Sequence, residues 1–162
     1  MQESSNKIIQ DKEIVSFDTD MVGPYGYCAD ISRAFVCGNK FNENQKKLYL
    51  TAVEQIDYNS RLIKDGVSFR EFTEKAWILP EKYYGNRYSV MLHGIGLCDE
   101  WPAIRYPTDG GERSGTFQKN MTITLESYIG EVGGNEGVKL EQQYLVGENG
   151  LELMSHHPLE QI

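Results

Sequence analysis

The chain has no apolar run of about 18 residues, so no segment is long enough to cross a membrane as a helix. It also lacks a basic run. Sixteen Lys and Arg face 24 Asp and Glu, for a net charge of −8 over 162 residues. An acidic chain without clustered cations is a poor partner for nucleic acid or an anionic membrane. Cysteine is scarce: Cys28, Cys37 and Cys98 form no Cys-x-x-Cys pair. The start, Met1-Gln2-Glu3-Ser4-Ser5-Asn6, lacks the apolar core of a secretion signal. An odd thiol count without such a signal suggests reduced cysteines and a cytoplasmic location. What is present argues against disorder: 40% hydrophobic residues and 11% aromatics, ten of them Tyr. The length suits one domain over residues 1–162.

Residues 13–18 read as a short strand ending in a carboxylate, followed by a turn at Val22-Gly23-Pro24-Tyr25-Gly26. A second strand is expected from Tyr27 to about Val36. Asn42 is placed to cap a helix over 43–64, with Tyr49, Val53, Ile56 and Ile63 on one stripe and Gly66 beyond its end. Ser68 and Glu71 suggest a capping box for a helix over 69–77, ended by Pro80. Residues 81–88 read as loop, 89–97 as strand, and 99–120 as a long functional loop with a Gly-rich stretch near 110–115. Strands return at about 121–130, 137–146 and 151–154. Strands, two helices and strands again predict an α+β domain with a mainly antiparallel sheet.

Six residues stand out as a possible metal site: Asp18, Asp20, Asp30, His93, Glu126 and Glu141. Asp18 and Asp20 face the same side if their strand continues, because alternate strand residues share a face. Asp30 lies across the turn. Clustered carboxylates repel, and a bound divalent cation is the usual remedy. Each residue also has an ordinary reading. An Asp beside a turn is commonly a turn residue, and a lone His is commonly structural. Glu126 is more telling, since it interrupts the apolar segment Thr122-Ile123-Thr124-Leu125-Glu126-Ser127-Tyr128-Ile129. A carboxylate there costs free energy unless it is paired or metal-bound. Glu141 is similar, although Lys139 is near enough to pair with it on an exposed face. Carboxylates with one His suit Fe, Mn, Co or Zn.

In order along the chain come Phe17-Asp18-Thr19-Asp20 with Gly26-Tyr27-Cys28-Ala29-Asp30-Ile31-Ser32-Arg33, His93-Gly94-Ile95-Gly96-Leu97, Thr124-Leu125-Glu126 and Gly137-Val138-Lys139-Leu140-Glu141. On these residues the chain resembles the pita-bread superfamily of metalloenzymes, which includes methionine aminopeptidase, aminopeptidase P, prolidase and creatinase. The resemblance implies a curved antiparallel sheet with helices on its outer face. It also implies a centre of two divalent metal ions bound by the six residues above. The peptidase pattern is broken after His93. Peptidases of the superfamily carry a second histidine there, and this chain has Asp99 in the run Leu97-Cys98-Asp99-Glu100-Trp101-Pro102. An anionic Asp99 cannot donate a hydrogen bond to an oxyanion, but it can accept a proton.

That arrangement is similar to one branch of the superfamily, the dimethylsulfoniopropionate lyases. The likeness rests on Asp20 ten residues before Asp30, Asp99 six after His93, and Tyr88 five before it. It implies two ions, iron before Mn, Zn or Co, with Asp99 as base and Tyr88 as a catalytic or positioning helper. The implied substrate is a small zwitterion undergoing β-elimination, with Tyr25 and Trp101 as aromatic faces for its sulfonium. An Xaa-Pro metallopeptidase and a non-catalytic pita-bread binding module are the alternatives. Members of the superfamily have further helices before the first strand, and lyase-like members an N-terminal domain. The chain is therefore expected to be a C-terminal fragment, homodimeric in its full-length form, with one sheet face left exposed. His156 and His157 read as surface, and Arg33 as a partner for a ligand carboxylate or for neighbouring sheet residues.

Overall fold

A computed structural model of the chain describes residues 6–38, 40–110 and 114–159. The polar start at 1–5 and residues 111–113 of the Gly-rich stretch lie outside the described residues. The α+β expectation holds. Strand β1 (Ile14–Asp18) pairs antiparallel with β4 (Ser32–Val36), placing Asp18 opposite Ser32. Between them, β2 (Met21–Val22) and β3 (Cys28–Ala29) make a small hairpin closed by a 3-10 turn over Pro24–Gly26. Helices α1 (Glu43–Ser60), α2 (Phe69–Lys75) and α3 (Glu81–Tyr84) follow. The remaining strands are β5 (Val90–Gly94), β6 (Ala103–Arg105), β7 (Thr122–Gly130), β8 (Gly137–Val146) and β9 (Leu151–Leu153). They form one antiparallel sheet in the order β6-β5-β7-β8-β9.

The structure departs from the sequence expectation in several places: residues 81–88, expected as loop, begin with α3, and the strand expected over 89–97 ends at Gly94. The strand expected from Tyr27 to Val36 breaks at Asp30, whose N–H donates to the Gln143 side chain at 3.2 Å rather than to a ladder. Helix α1 begins as expected, with the Asn42 side chain accepting the Gln45 N–H and the Gln45 side chain accepting the Asn42 N–H. It stops at Ser60, yet Ile63 is still buried in the turn that follows. Helix α2 is capped by Ser68 but ends at Lys75, and Pro80 starts α3 rather than ending α2. The region 99–120 is not all loop. It contains β6, three residues whose strand character comes from pairing with distant β5.

Period-two alternation gives the sheet two faces. Leu92, Leu125, Ile129, Val138 and Leu140 join Leu48, Tyr49, Ala52 and Ile56 of α1 in one core. Each such buried aliphatic side chain contributes about 1.5–3 kcal/mol relative to exposure. The alternate residues, His93, Thr124, Glu126, Lys139, Glu141 and Gln143, fall on the opposite face. The β1–β4 hairpin lies against β8 on this side, with Ser32 Oγ donating to Glu141 at 3.0 Å. Phe17, Met21, Val22, Tyr25 and Tyr27 around this hairpin are exposed. No helix among the described residues is long and apolar enough to cross a membrane.

Candidate metal centre

Three strands bring three ligand side chains together. His93 is on β5, and Glu126 and Glu141 are directly opposite one another on β7 and β8. Like charges across a strand pair repel, and here both glutamates are buried. His93 Nε2 sits between them, 3.4 Å from each Oε1, and 3.7 Å from Asp30 Oδ2. The His93 Nδ1 faces the Gly94 carbonyl at 3.0 Å, which leaves Nε2 as the nitrogen directed at the carboxylates. Gly94 has a local reason. The backbone of Trp101 passes over it, and a Cβ there would run into the Trp101 carbonyl. The Gly94 N–H donates to the Pro102 carbonyl at 2.9 Å, folding the loop after β5 back onto the strand.

Two ligand triads result, with Asp30 common to both. Oxygens of Asp18, Asp20 and Asp30 lie within 4.8 Å of one another, and so do ligand atoms of Asp30, His93 and Glu141. With Glu126 beside His93, all six residues singled out from the sequence are gathered in one place. Strand β1 ends at Asp18, so Asp20 reaches the cluster from the irregular link to β2 rather than from a continuing strand. Asp30 Oδ1 is buried without a hydrogen-bond donor, while Glu126 Oε2 faces the Lys139 ammonium and Glu141 Oε1 faces His93 Nε2. Uncompensated buried carboxylate oxygens are costly. Divalent cations at the two triads would satisfy Asp30, which belongs to both, and offset the crowding of the other carboxylates, so the donor set fits metal. Five carboxylates and one imidazole suit Mn, Fe, Co or Zn.

The electrostatics follow from crowding. Burial, then the Glu141 and Asp20 carboxylates, push Asp30 up to about 9. Burial also raises Glu126. Burial opposes charge on His93, but hydrogen bonds to Glu126 and Glu141 outweigh it and push the imidazole up to about 11. Burial would raise Glu141 too, yet His93 and Lys139 hold it down at about 2. Burial and the nearby Glu126 and Glu100 carboxylates push the Tyr88 phenol up to about 12.

Lys139 does not pair with Glu141 on an exposed face. Its side chain is only 12% exposed, and its Nζ lies 2.5 Å from Glu126 Oε2 and 3.5 Å from Glu141 Oε2. Alternation from Glu141 already put it on the ligand face; its burial comes from β1 and Tyr88, whose ring lies 5.2 Å from Nζ. Ser32 was not singled out, although its register opposite Asp18 was a usable signal. Its hydroxyl bridges Asp18 and Glu141. Among the described residues, Arg33 pairs with no carboxylate. Its guanidinium donates to the carbonyls of Ser32, Glu141, His157 and Pro158 and to the Gln142 side chain. Asp99 caps its own loop, accepting the Glu100 N–H on Oδ1 at 2.9 Å. Tyr25 and Trp101 are 96% and 62% exposed. His156 and His157 are exposed, as expected.

The chain is similar to two proteins named dimethylsulfoniopropionate lyase DddP. It is 38% identical to that of Roseovarius nubinhibens over 98% of this chain and 36% of the relative. It is 37% identical to that of Roseobacter denitrificans, again over 98% of this chain and 36% of the relative. The chain thus spans about a third of the length of these relatives. Its structure is similar to prolidase from Pyrococcus horikoshii OT3, with a TM-score of 0.80 and 28% identity over 98% of this chain and 44% of that one. The chain accordingly has part of the pita-bread fold that its motifs implied. A family model, Metallopeptidase family M24, matches residues 1–148. With ligand residues from both hairpin and sheet gathered inside that matched segment, the chain belongs to metallopeptidase family M24.

Proposed function

We propose that this chain is the catalytic part of a metal-dependent dimethylsulfoniopropionate lyase, cleaving its substrate by β-elimination to dimethyl sulfide and acrylate. The observation that carries this is the 38% and 37% identity, over nearly the whole chain, to two proteins named for that activity. Asp99, an anion six residues after His93, supports it, because elimination needs a base where amide hydrolysis needs an oxyanion donor.

The substrate on this proposal is a small zwitterion, with a carboxylate at one end and a dimethylsulfonium at the other. Divalent ions held by Asp18, Asp20, Asp30, His93, Glu126 and Glu141, iron first, would supply Lewis-acid polarisation of the bound carboxylate. Asp99 takes the proton from the carbon next to that carboxylate. The C–H electron pair becomes the new C=C bond, and the C–S pair departs on sulfur as neutral dimethyl sulfide. One Asp99 oxygen holds the Glu100 N–H, which orients the carboxylate for this transfer. Tyr88 stays protonated at neutral pH, since its phenol is pushed up to about 12, and serves as a hydrogen-bond donor beside the cluster. The exposed rings of Tyr25 and Trp101 are free to turn toward the sulfonium, which is attracted to aromatic faces. Metal and orientation supply most of the acceleration, because a carboxylate is a weak base for a carbon acid. The full-length protein on this reading acts in the cytoplasm as a homodimer.

A second reading, an Xaa-Pro metallopeptidase, is favoured by the prolidase likeness at a TM-score of 0.80. One experiment separates the two. Purified chain loaded with Fe(II) is given dimethylsulfoniopropionate, and headspace dimethyl sulfide is measured beside Asp99→Asn. Gas from the parent, reduced about a hundredfold or more in Asp99→Asn, is the expected result. A metal-loaded chain that releases no gas but hydrolyses an Xaa-Pro dipeptide would establish the peptidase instead.

A further inference from the structure

Glu126 and Glu141 each present their two oxygens to two different cationic groups. Both Oε1 atoms face His93 Nε2 at 3.4 Å. Both Oε2 atoms face the Lys139 ammonium, at 2.5 and 3.5 Å. Asp18 Oδ2 is a third carboxylate neighbour of Nζ at 3.3 Å, and Ser32 Oγ lies 3.1 Å away. Asp18 belongs to one ligand triad and Glu141 to the other, so one ammonium spans both.

We propose that Lys139 is a built-in cation of the metal centre. It holds the carboxylates together before metal arrives, and it competes with the incoming ions for them, so that it sets the affinity of the site. This rests on the metal-centre reading of the cluster and is independent of the lyase reading.

Three observations support the role over ordinary ion pairing. The Lys139 side chain is only 12% exposed, and its neighbours Glu126 and Glu141 are 3% and 0% exposed, so solvent does not share in screening them. The position is set by the sheet: Lys139 is two residues from Glu141 on the same face of β8, so the ammonium cannot swing to bulk water without leaving buried carboxylates unpaired. The charges also match. Asp18, Asp20, Asp30, Glu126 and Glu141 with one ammonium leave four negative charges, the charge of two divalent ions beside a neutral His93. Two cations drawing on the same oxygens weaken each other's binding, and that coupling is reciprocal. Removing the ammonium therefore weakens the metal-free protein and strengthens its hold on metal. Lys139 is thus a positioning residue that acts through the carboxylates.

The test is a Co(II) titration of the whole chain followed by visible absorption, with thermal melting in the absence and presence of Co(II). Parent, Lys139→Met and Lys139→Arg are compared. Lys139→Met is expected to melt lower without metal, to bind Co(II) about tenfold or more tightly than the parent, and to gain more in melting temperature when loaded. Lys139→Arg keeps the charge and is expected to stay within about threefold of the parent. Unchanged or weaker Co(II) binding in Lys139→Met overturns the proposal while the parent's own binding stands. A parent that binds no Co(II), like His93→Ala, overturns the metal-centre reading and this proposal with it. Where Lys139→Met does not fold without metal, Lys139→Met/Glu126→Gln removes the paired charge as well. Recovery of folding supports the proposal, and failure to recover overturns it.

Discussion

His93, Glu126 and Glu141 stand on three neighbouring strands of a five-stranded sheet, while Asp18 and Asp20 stand at the end of one short strand and in the gap before the next. The first group is buried on long ladders, with β7 and β8 paired residue for residue from Thr122–Leu145 to Gly130–Gly137. The second is exposed, Asp18 by 53% of its side chain, on hairpins of five and two paired residues. Asp30 bridges them, buried but at a break in its strand. Rigid ladders over a packed core fix ligand geometry before metal binds. Short ladders with few apolar contacts open at low free-energy cost. The sheet half of the centre is thus preorganised, and the hairpin half is the part that metal binding has most scope to order.

The sharpest way to break this contrast is to remove a sheet carboxylate. Glu126→Ala takes away the nearest partner of the buried Lys139 ammonium. The loss expected in the metal-free chain is about 1–3 kcal/mol, the cost of removing one charged partner from an ammonium that keeps Asp18 and Glu141. Urea denaturation checks it, and a loss below about 1 kcal/mol would show that the site relaxes and is not rigid. Next in size is a difference in metal binding. His93→Ala should weaken Co(II) binding by about a hundredfold or more, and Asp20→Ala by about tenfold, because the exposed Asp20 can be replaced by water. Equal losses would erase the distinction between the two halves.

The smallest effect is in pH. Asp30 is raised to about 9 and His93 to about 11 in the folded chain, both above their ordinary values. Both groups bind protons more tightly folded than unfolded. Their contribution to metal-free stability is therefore largest at low pH. It is lost as pH rises through about 9 for Asp30 and about 11 for His93. Both must shed protons to act as ligands, so metal binding should release protons and tighten from neutral pH toward about 9. Calorimetry in two buffers of different ionisation enthalpy reads the proton count directly. Binding without proton release would show that the sheet half is already deprotonated.

Much of the centre was legible in the residues. Glu126 betrayed itself by interrupting an apolar strand, the order of the four motifs carried the family, and the succession of strands, helices and strands carried the α+β fold. The hairpin between Asp18 and Asp30 was legible as a turn with flanking strands. Lys139 was only half legible. Period-two spacing put it beside Glu141, but no local pattern says that β1 and Tyr88 close over it. Strand β6 was hidden because three residues carry no periodicity, and its pairing partner lies some ten residues back across a folded loop. The break at Asp30 was hidden too, since it depends on the Gln143 side chain far along the chain.

The sequence by itself determined the ligand types, their order, the helix caps at Asn42 and Ser68, and the alternation that separates core from ligand face. Those depend on residue chemistry and on spacings within one element. Only the tertiary structure decided that Glu126 and Glu141 stand directly opposite each other, that Asp30 is shared between two triads, and that an ammonium lies among the carboxylates. Those depend on register between strands and on burial, which arise from pairing across distant segments and have no local signature.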